Sequence, residues 1–278
     1  MYFVQFGAER VPKSLSLAGG SHQLYWEPLM GALVETDDGW VLLDTGMSRA
    51  AHESPEIIAA YRGDGEEADN HDAAWHLAPE PPDAAGWNWI LDGDPVVTAL
   101  AAYGLKPADL TMAAVSHLHV DHSGGIPTLA RAGVPIAIQG NELEFARGGA
   151  VGAAEGFHQP DWTEPGTRWQ ELDGDTRLAP GISVISTPGH TPGHMSFRVD
   201  LEDSGSWILA GDTADLAQNL LDRTPCGSYA GGTPIDEQHA RTSLDRLLDI
   251  ARRDGARLIP MHDQIMATAV RHPSRGHR

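Results

Sequence analysis

Apolar residues in the first part of the chain fall in short runs rather than at helical spacing. Ala32-Leu33-Val34-Glu35-Thr36 and Trp40-Val41-Leu42-Leu43-Asp44 flank Asp37-Asp38-Gly39, and two such runs around an Asp-Gly turn predict a β-hairpin. Tyr2-Phe3-Val4-Gln5-Phe6 predicts another strand. Over residues 47–93 the pattern breaks into charged and Pro-rich sequence, including Glu80-Pro81-Pro82 and Trp87-Asn88-Trp89, so this segment is expected as an insertion or lid on the core. Trp75, Trp87 and Trp89 are more tryptophan than a solvated linker carries, which favours a loop that folds over something. Asp94-Pro95 supplies an N-cap and a first-turn proline for a helix over 96–105, with Gly104 near its end. Strands are predicted at 111–115, 136–138, 182–185 and 207–209. Pro234 and Asp236 open a helix with Leu244, Leu247, Leu248 and Ala251 on one face, closed by Gly255. A last strand over 257–261 delivers His262. Strands and helices are thus interleaved, with no short repeat, although the turns after strands suggest two similar halves.

Composition narrows the class. A chain of 278 residues buries a large core and is read as one domain, 1–278. No apolar run approaches the roughly 20 residues of a membrane span, and Met1 leads straight into a strand without a signal-type segment, so a cytoplasmic protein without membrane contact is expected. The formal net charge of -20, from 19 basic and 39 acidic residues, disfavours nucleic acid as a partner. Most of that acidity reads as solvated surface and does not by itself establish a metal. Cys226 is the single cysteine, which excludes an internal disulfide and a thiolate-rich zinc site. Any metal must be held by nitrogen and oxygen.

Such donors are concentrated in Ser116-His117-Leu118-His119-Val120-Asp121-His122-Ser123-Gly124-Gly125, directly after the strand at 111–115. Three imidazoles and a carboxylate within six residues have little structural use, whereas they are the usual non-sulfur ligands of zinc and related metals. Further donors stand at or just after strand ends: His190 in Thr187-Pro188-Gly189-His190-Thr191-Pro192-Gly193-His194, Asp212 in Ala210-Gly211-Asp212-Thr213, and His262 in Met261-His262-Asp263. Taken alone, each would read as a surface or hydrogen-bonded side chain; with the cluster, each reads as a ligand. His194 is expected to pack or donate a hydrogen bond behind the site. His22, His52, His71, His76 and His158 are read as surface residues. Asp44, in Leu43-Asp44-Thr45-Gly46, either caps a turn or orients a ligand imidazole through its second nitrogen.

These residues, in this order, resemble the metallo-β-lactamase superfamily over nearly the whole chain. The resemblance implies an α/β fold, the αββα sandwich, in which two mixed β-sheets are flanked by helices and metals sit at one edge. Within the superfamily the chain looks most like the N-acyl-homoserine lactonases, through Tyr2-Phe3-Val4, Leu43-Asp44-Thr45-Gly46-Met47, Ser116 through Gly125, Thr187 through His194, and His262-Asp263. That resemblance implies two divalent metal ions, zinc by default. His117, His119 and His190 would hold the first, Asp121, His122 and His262 the second, and Asp212 would bridge them. It further implies hydrolytic opening of a lactone by hydroxide made available between the ions, with Asp121 as proton shuttle toward the departing alkoxide. The chain departs from the lactonase pattern at Asp215, where those enzymes carry a tyrosine whose hydroxyl contacts the substrate carbonyl. Asp215 is therefore a candidate catalytic residue, with capping of the following helix as the competing reading. Either Tyr229 or another donor substitutes for the tyrosine, or the substrate differs. Trp26 or Phe157, with the tryptophans of the insertion, would wall a pocket for an acyl chain or a ring, or else pack in the core.

Other functions fit less well. Glyoxalase II follows its metal domain with a helical region that helps bind glutathione, whereas 16 residues follow His262 (278 less 262). True metallo-β-lactamases lack a bridging aspartate, and the acidic balance disfavours the nucleases. Hydrolysis of another small lactone, ester or cyclic amide is the enzymatic alternative, and metal-dependent binding of a small ligand without turnover is the non-enzymatic one. The expected partner is a small-molecule lactone or ester; a homodimer is compatible with the sequence. The native metal is open among zinc, manganese, iron and cobalt.

Overall fold

Twelve strands are formed among the residues described by the computed structural model, which are 1–63, 65–66, 88–149, 151–227, 236–267 and 271–278. In chain order they are β1 (Tyr2–Pro12), β2 (Leu24–Thr36), β3 (Gly39–Leu43), β4 (Asn88–Ile90), β5 (Leu110–Ala114), β6 (Pro135–Gln139), β7 (Arg168–Leu172), β8 (Thr176–Ala179), β9 (Ile182–Ser186), β10 (Met195–Leu201), β11 (Gly205–Leu209) and β12 (Arg257–Ile259). The first sheet has the order β4-β1-β2-β3-β5-β6-β7, the second β12-β11-β10-β9-β8. Both are mixed. In the first, β4, β1, β2 and β3 pair antiparallel and β3, β5, β6 and β7 parallel. In the second, β11 and β12 are the parallel pair.

Alternation of side chains across the pleat builds three apolar layers. Phe3, Met30, Val34, Val41 and Leu43 of the first sheet meet Val184, Met195, Phe197, Val199 and Leu209 of the second. The opposite face of the first sheet, with Leu33, Leu42, Ala113 and Val115, is covered by Val96 and Leu100 of helix Pro95–Ala101 and by Ile126 and Leu129 of helix Ile126–Arg131. Ile185, Ile208 and Ala210 on the outer face of the second sheet receive Leu244 and Leu247 of helix Glu237–Asp254. The result is the expected αββα sandwich. No helix among the described residues is long and apolar enough to cross a membrane.

The hairpin forms as read, with Ala32 facing Leu43 and Thr36 facing Gly39. Its first strand is longer than the apolar pattern suggested, because β2 and β1 pair along their length from Tyr2↔Leu33 to Pro12↔Leu24. Part of the segment 47–93 belongs to the core rather than to an excursion from it. Met47, Ala51, Ile57 and Tyr61 are buried in one cluster, helices Arg49–His52 and Pro55–Arg62 follow β3, and β4 pairs with the edge of β1. These helices are too short for a sustained apolar period: Ala51 alone is buried in the first, and the pair Ile57 and Tyr61, four residues apart, marks the buried face of the second. Trp75 and Trp87 lie outside the described residues.

Candidate metal centre

Five strand ends converge at one edge of the sandwich. The chain leaves β3 at Asp44, β5 toward His117, β9 toward His190, β11 toward Asp212 and β12 toward His262. Parallel pairing of β3 with β5 sets Leu43 beside Ala114, so the two following turns emerge together. The Asp44 N–H donates to the Ala114 carbonyl (2.8 Å), and its Oδ1 accepts the Ser116 N–H (2.6 Å).

Three groups of donor atoms result: two contain Asp212, and the third is made by Glu9, Glu27 and His262. In the first, His119 Nδ1 lies 2.9 Å from His190 Nε2, and Asp212 Oδ2 lies 3.1 Å from His190 Nε2 and 3.7 Å from His117 Nε2. In the second, His122 Nε2 lies 2.9 Å from Asp121 Oδ2, 3.0 Å from Asp212 Oδ1 and 3.3 Å from His262 Nε2. His262 Nε2 is 3.5 Å from Asp121 Oδ2 and 3.4 Å from Asp212 Oδ1. One carboxylate therefore turns one oxygen to each of these two groups. Around a tetrahedral ion with bonds of about 2.0 Å, neighbouring donors stand about 3.3 Å apart. The observed separations bracket that value. His117 Nε2 is moreover buried without a hydrogen-bond partner among the described residues. Seven donors, six of them buried and His190 half-buried, with lone pairs turned inward, fit two cations.

The far sides of the rings are anchored. His122 Nδ1 lies 3.1 Å from Asp44 Oδ2, and His262 Nδ1 lies 3.1 Å from the Pro28 carbonyl. Both acceptors demand a proton on Nδ1, which leaves the Nε2 lone pair facing inward. Asp44 thus does what an orienting carboxylate should. His194 lies behind Asp212: its Nε2 accepts the Asp212 N–H (3.0 Å), so Nδ1 carries the proton toward Thr187 Oγ1 (2.9 Å). Burial pushes its pKa down to about 3, which keeps the ring neutral in that role.

Charge is distributed unevenly across the two groups. Burial, reinforced by neighbouring imidazoles, holds His117 and His119 well below the ordinary histidine range. Burial also opposes charge on His122, but Asp121, Asp212 and Asp44 outweigh it and hold the ring well above that range. His262 is raised against burial by Asp212, with Asp215 and Glu27 adding to it. The carboxylates around His122 and His262 thus favour positive charge in that group, whereas His117 and His119 stay neutral, with a lone pair on each ring.

Several side chains at the site were not picked out from the sequence. Glu142 is fully buried, its Oε1 accepting the Leu118 N–H and its Oε2 the Gly193 N–H, each at 3.0 Å. It staples the turn of His117 and His119 to the turn of His190. Gly193 permits this approach, since a Cβ there would fall 2.2 Å from the Glu142 nitrogen, and at Gly189 a Cβ would fall 2.2 Å from the Ala240 nitrogen. Tyr61 donates to Asp121 Oδ1 (2.9 Å). Glu9 and Glu27 face each other across β1 and β2 behind His262, with Glu27 Oε2 3.8 Å from His262 Nδ1. Burial raises Glu27 to about 7, while Tyr25 and Ser16 donate to its Oε1. A sequence signal existed for Glu27, an acid within the apolar run Leu24-Tyr25-Trp26-Glu27-Pro28-Leu29-Met30.

Asp215 is buried and lies outside all three donor groups. It does not cap helix Ala217–Asp222, whose Leu216 and Ala217 N–H groups are taken by Asn219 Oδ1 (2.7 Å) and Asp263 Oδ2 (2.8 Å). Its backbone carbonyl accepts the His262 N–H (3.0 Å), and burial, with Asp212 close by, raises its carboxyl well above the usual range. Phe157 sets its ring edge on His119 at a centroid distance of 4.9 Å, and Trp26 is buried. Tyr229, His71 and His76 lie outside the described residues.

Fold and donor set together define a metallo-hydrolase. A sequence model of the metallo-beta-lactamase superfamily matches residues 31–262, and the chain belongs to that superfamily. It is 29% identical over 266 residues to an N-acyl homoserine lactonase of Bacillus cereus, covering 95% of this chain and 92% of that one. A crystal structure of a B. thuringiensis AiiA mutant with N-decanoyl-L-homoserine bound at the active site is similar with a TM-score of 0.74 at 25% identity, covering 94% and 92% of the two chains. An N-acyl homoserine lactone hydrolase with the product N-hexanoyl-L-homoserine at its catalytic metal center gives 0.72 at 25% identity, with the same coverage.

Proposed function

We propose that the chain opens the ring of a small lactone, with N-acyl-homoserine lactones as the foremost substrates. The observation that carries this reading is Asp212, which offers one oxygen to each of two buried donor groups. His117, His119 and His190 would hold one divalent ion, Asp121, His122 and His262 the other, and Asp212 would bridge them. Such a pair, zinc by default, would supply Lewis acidity toward a carbonyl and lower the pKa of bound water. The chain's own residues do the rest. Asp44 and the Pro28 carbonyl fix the ring orientation of His122 and His262. Asp121 stands among the donors with a carboxylate that can hold the proton lost by the attacking water and pass it to the ring oxygen as the ester C–O bond breaks. The product is an open-chain hydroxy acid, and at neutral pH one proton is released per turnover. Relatives that act on N-acyl homoserine lactones support this substrate class.

Asp215 favours a second reading, another small lactone or ester, because a carboxylate stands where the lactonases place a substrate-contacting tyrosine. Proton release in a pH-stat discriminates the two. With zinc-loaded protein, acyl-homoserine lactones are expected to be opened efficiently and Asp121→Asn to abolish the reaction. Turnover confined to γ-butyrolactone or an aryl ester would retain the two-ion chemistry and discard the acyl-homoserine lactone. Saturable binding without product would sink the enzymatic reading.

A further inference from the structure

Asp121 has two oxygens with separate partners, and the division is made by a residue far away in the chain. Asp121 Oδ2 faces His122 Nε2 at 2.9 Å and His262 Nε2 at 3.5 Å, whereas Oδ1 accepts the Tyr61 hydroxyl at 2.9 Å. Tyr61 is 1% exposed, and its helix is firmly placed: Ser54 caps the N-terminus, Pro55 occupies the first turn, and Ile57, on the same face as Tyr61, is 0% exposed. Tyr61 and Ile57 share their buried cluster with Met47 and with Val120, the residue preceding Asp121. The aromatic body is thus seated independently of its hydroxyl. A carboxylate rotates easily about its last bond, because that torsion is broad and roughly two-fold. A donor fixed on one oxygen removes that freedom and leaves the other oxygen aimed at the second donor group.

We propose that Tyr61 is a positioning residue that fixes Asp121 for the ion held by Asp121, His122, Asp212 and His262. This rests on the two-ion reading given above. It assigns the part of segment 47–93 around Tyr61 to the metal centre rather than to a cover over it. It also separates Tyr61 from a core tyrosine whose hydroxyl is merely satisfied: a core role contributes to stability alone, whereas a positioning role distinguishes one ion from the other.

The test is metal binding by full-length Tyr61→Phe, a substitution that keeps the ring and removes the hydroxyl. Zinc is titrated against a chromogenic chelator, and the cobalt-substituted protein is followed by visible absorption. The first equivalent is expected to bind as in the unsubstituted protein and the second to bind about 10- to 100-fold more weakly, with altered cobalt bands. Ile57→Ala, which loosens the same helix without touching Asp121, should lower the melting temperature while leaving the two zinc affinities in their original ratio. Two equivalents bound by Tyr61→Phe with unchanged affinities and unchanged cobalt bands would overturn the role of Tyr61 and leave the two-ion reading intact. Fewer than two equivalents bound by the unsubstituted protein would overturn the two-ion reading and this inference with it.

Discussion

Asp44 combines an unusual backbone with two acceptor tasks. Its φ of 57° lies in the left-handed region, which Asp tolerates better than most residues, and the turn so formed aims one carboxylate oxygen at the Ser116 N–H and the other at His122 Nδ1. Asparagine would keep the shape but place an NH2 group against one of those two donors. Asp44→Asn is therefore expected to weaken metal binding by about 10- to 100-fold with far-ultraviolet circular dichroism unchanged, as measured by chelator competition. Unaltered affinity would remove Asp44 from the site. At this scale the sequence spoke clearly where donors are consecutive, as from His117 to His122. It was silent on Tyr61, which reaches Asp121 across 60 positions, and on Glu142, which reaches Leu118 across 24. An isolated tyrosine or glutamate in a short helix has no local pattern that separates it from a surface residue.

Glu142 joins turns that follow strands of different sheets, β5 and β9. It sits in helix Gly140–Arg147, and its carboxylate closes on the Leu118 and Gly193 N–H groups, one from each donor turn. Glu142→Ala strands two buried donors, each worth about 1–3 kcal/mol when unsatisfied. The expected result is a loss on the order of 2–4 kcal/mol in denaturant unfolding together with weaker metal binding; a loss under about 1 kcal/mol would mean that water or a rearranged turn replaces the staple. The elements themselves were unequally legible. Helix Glu237–Asp254 carries both of its punctuation marks, since Asp236 accepts the His239 N–H (3.0 Å) and Gly255 adopts a φ of 65°. Helix Pro95–Ala101 likewise begins at Asp94, which accepts the Val96 and Val97 N–H groups. By contrast, β10 was not picked out, although Met195, Phe197 and Val199 alternate with polar residues, because it follows the donor turn without an intervening break. The edge strands β7 and β8 carry no buried position and little pattern.

Across the whole molecule, charge and fold are coupled at the candidate metal centre. In the metal-free protein, His122 and His262 bind protons more tightly than ordinary histidines against the opposing effect of burial, His122 chiefly through Asp121 and Asp212 and His262 chiefly through Asp212. Raised imidazole values contribute stability that is complete below the unfolded value of about 6.5 and is lost as pH rises through the folded values. Divalent ions would replace those protons, so binding releases them and becomes tighter with increasing pH. Chelation is accordingly expected to lower the melting temperature, and the gap between zinc-loaded and chelated protein is expected to widen as pH rises above about 6.5. Differential scanning fluorimetry across pH measures both effects. A gap that is absent, or that narrows with rising pH, would contradict the assigned ligands.

The sequence by itself determined the class of chemistry, because metal donors of the right type are crowded into one turn and repeated at later strand ends, and because a single cysteine leaves only nitrogen and oxygen to bind. It also determined the interleaving of strands and helices, through short apolar runs alternating with capped helices, while the layered sandwich followed from the family resemblance. Only the tertiary structure decided that Asp212 divides its oxygens between two groups, that Asp44, Pro28 and His194 hydrogen-bond His122, His262 and Asp212 from behind, and that Tyr61 and Glu142 reach Asp121 and the Leu118 and Gly193 N–H groups. The physical reason is the same in each case. Local patterns record which face of an element is buried, whereas partnership between single polar atoms depends on where distant backbones meet, and that is set by the packing of the two sheets.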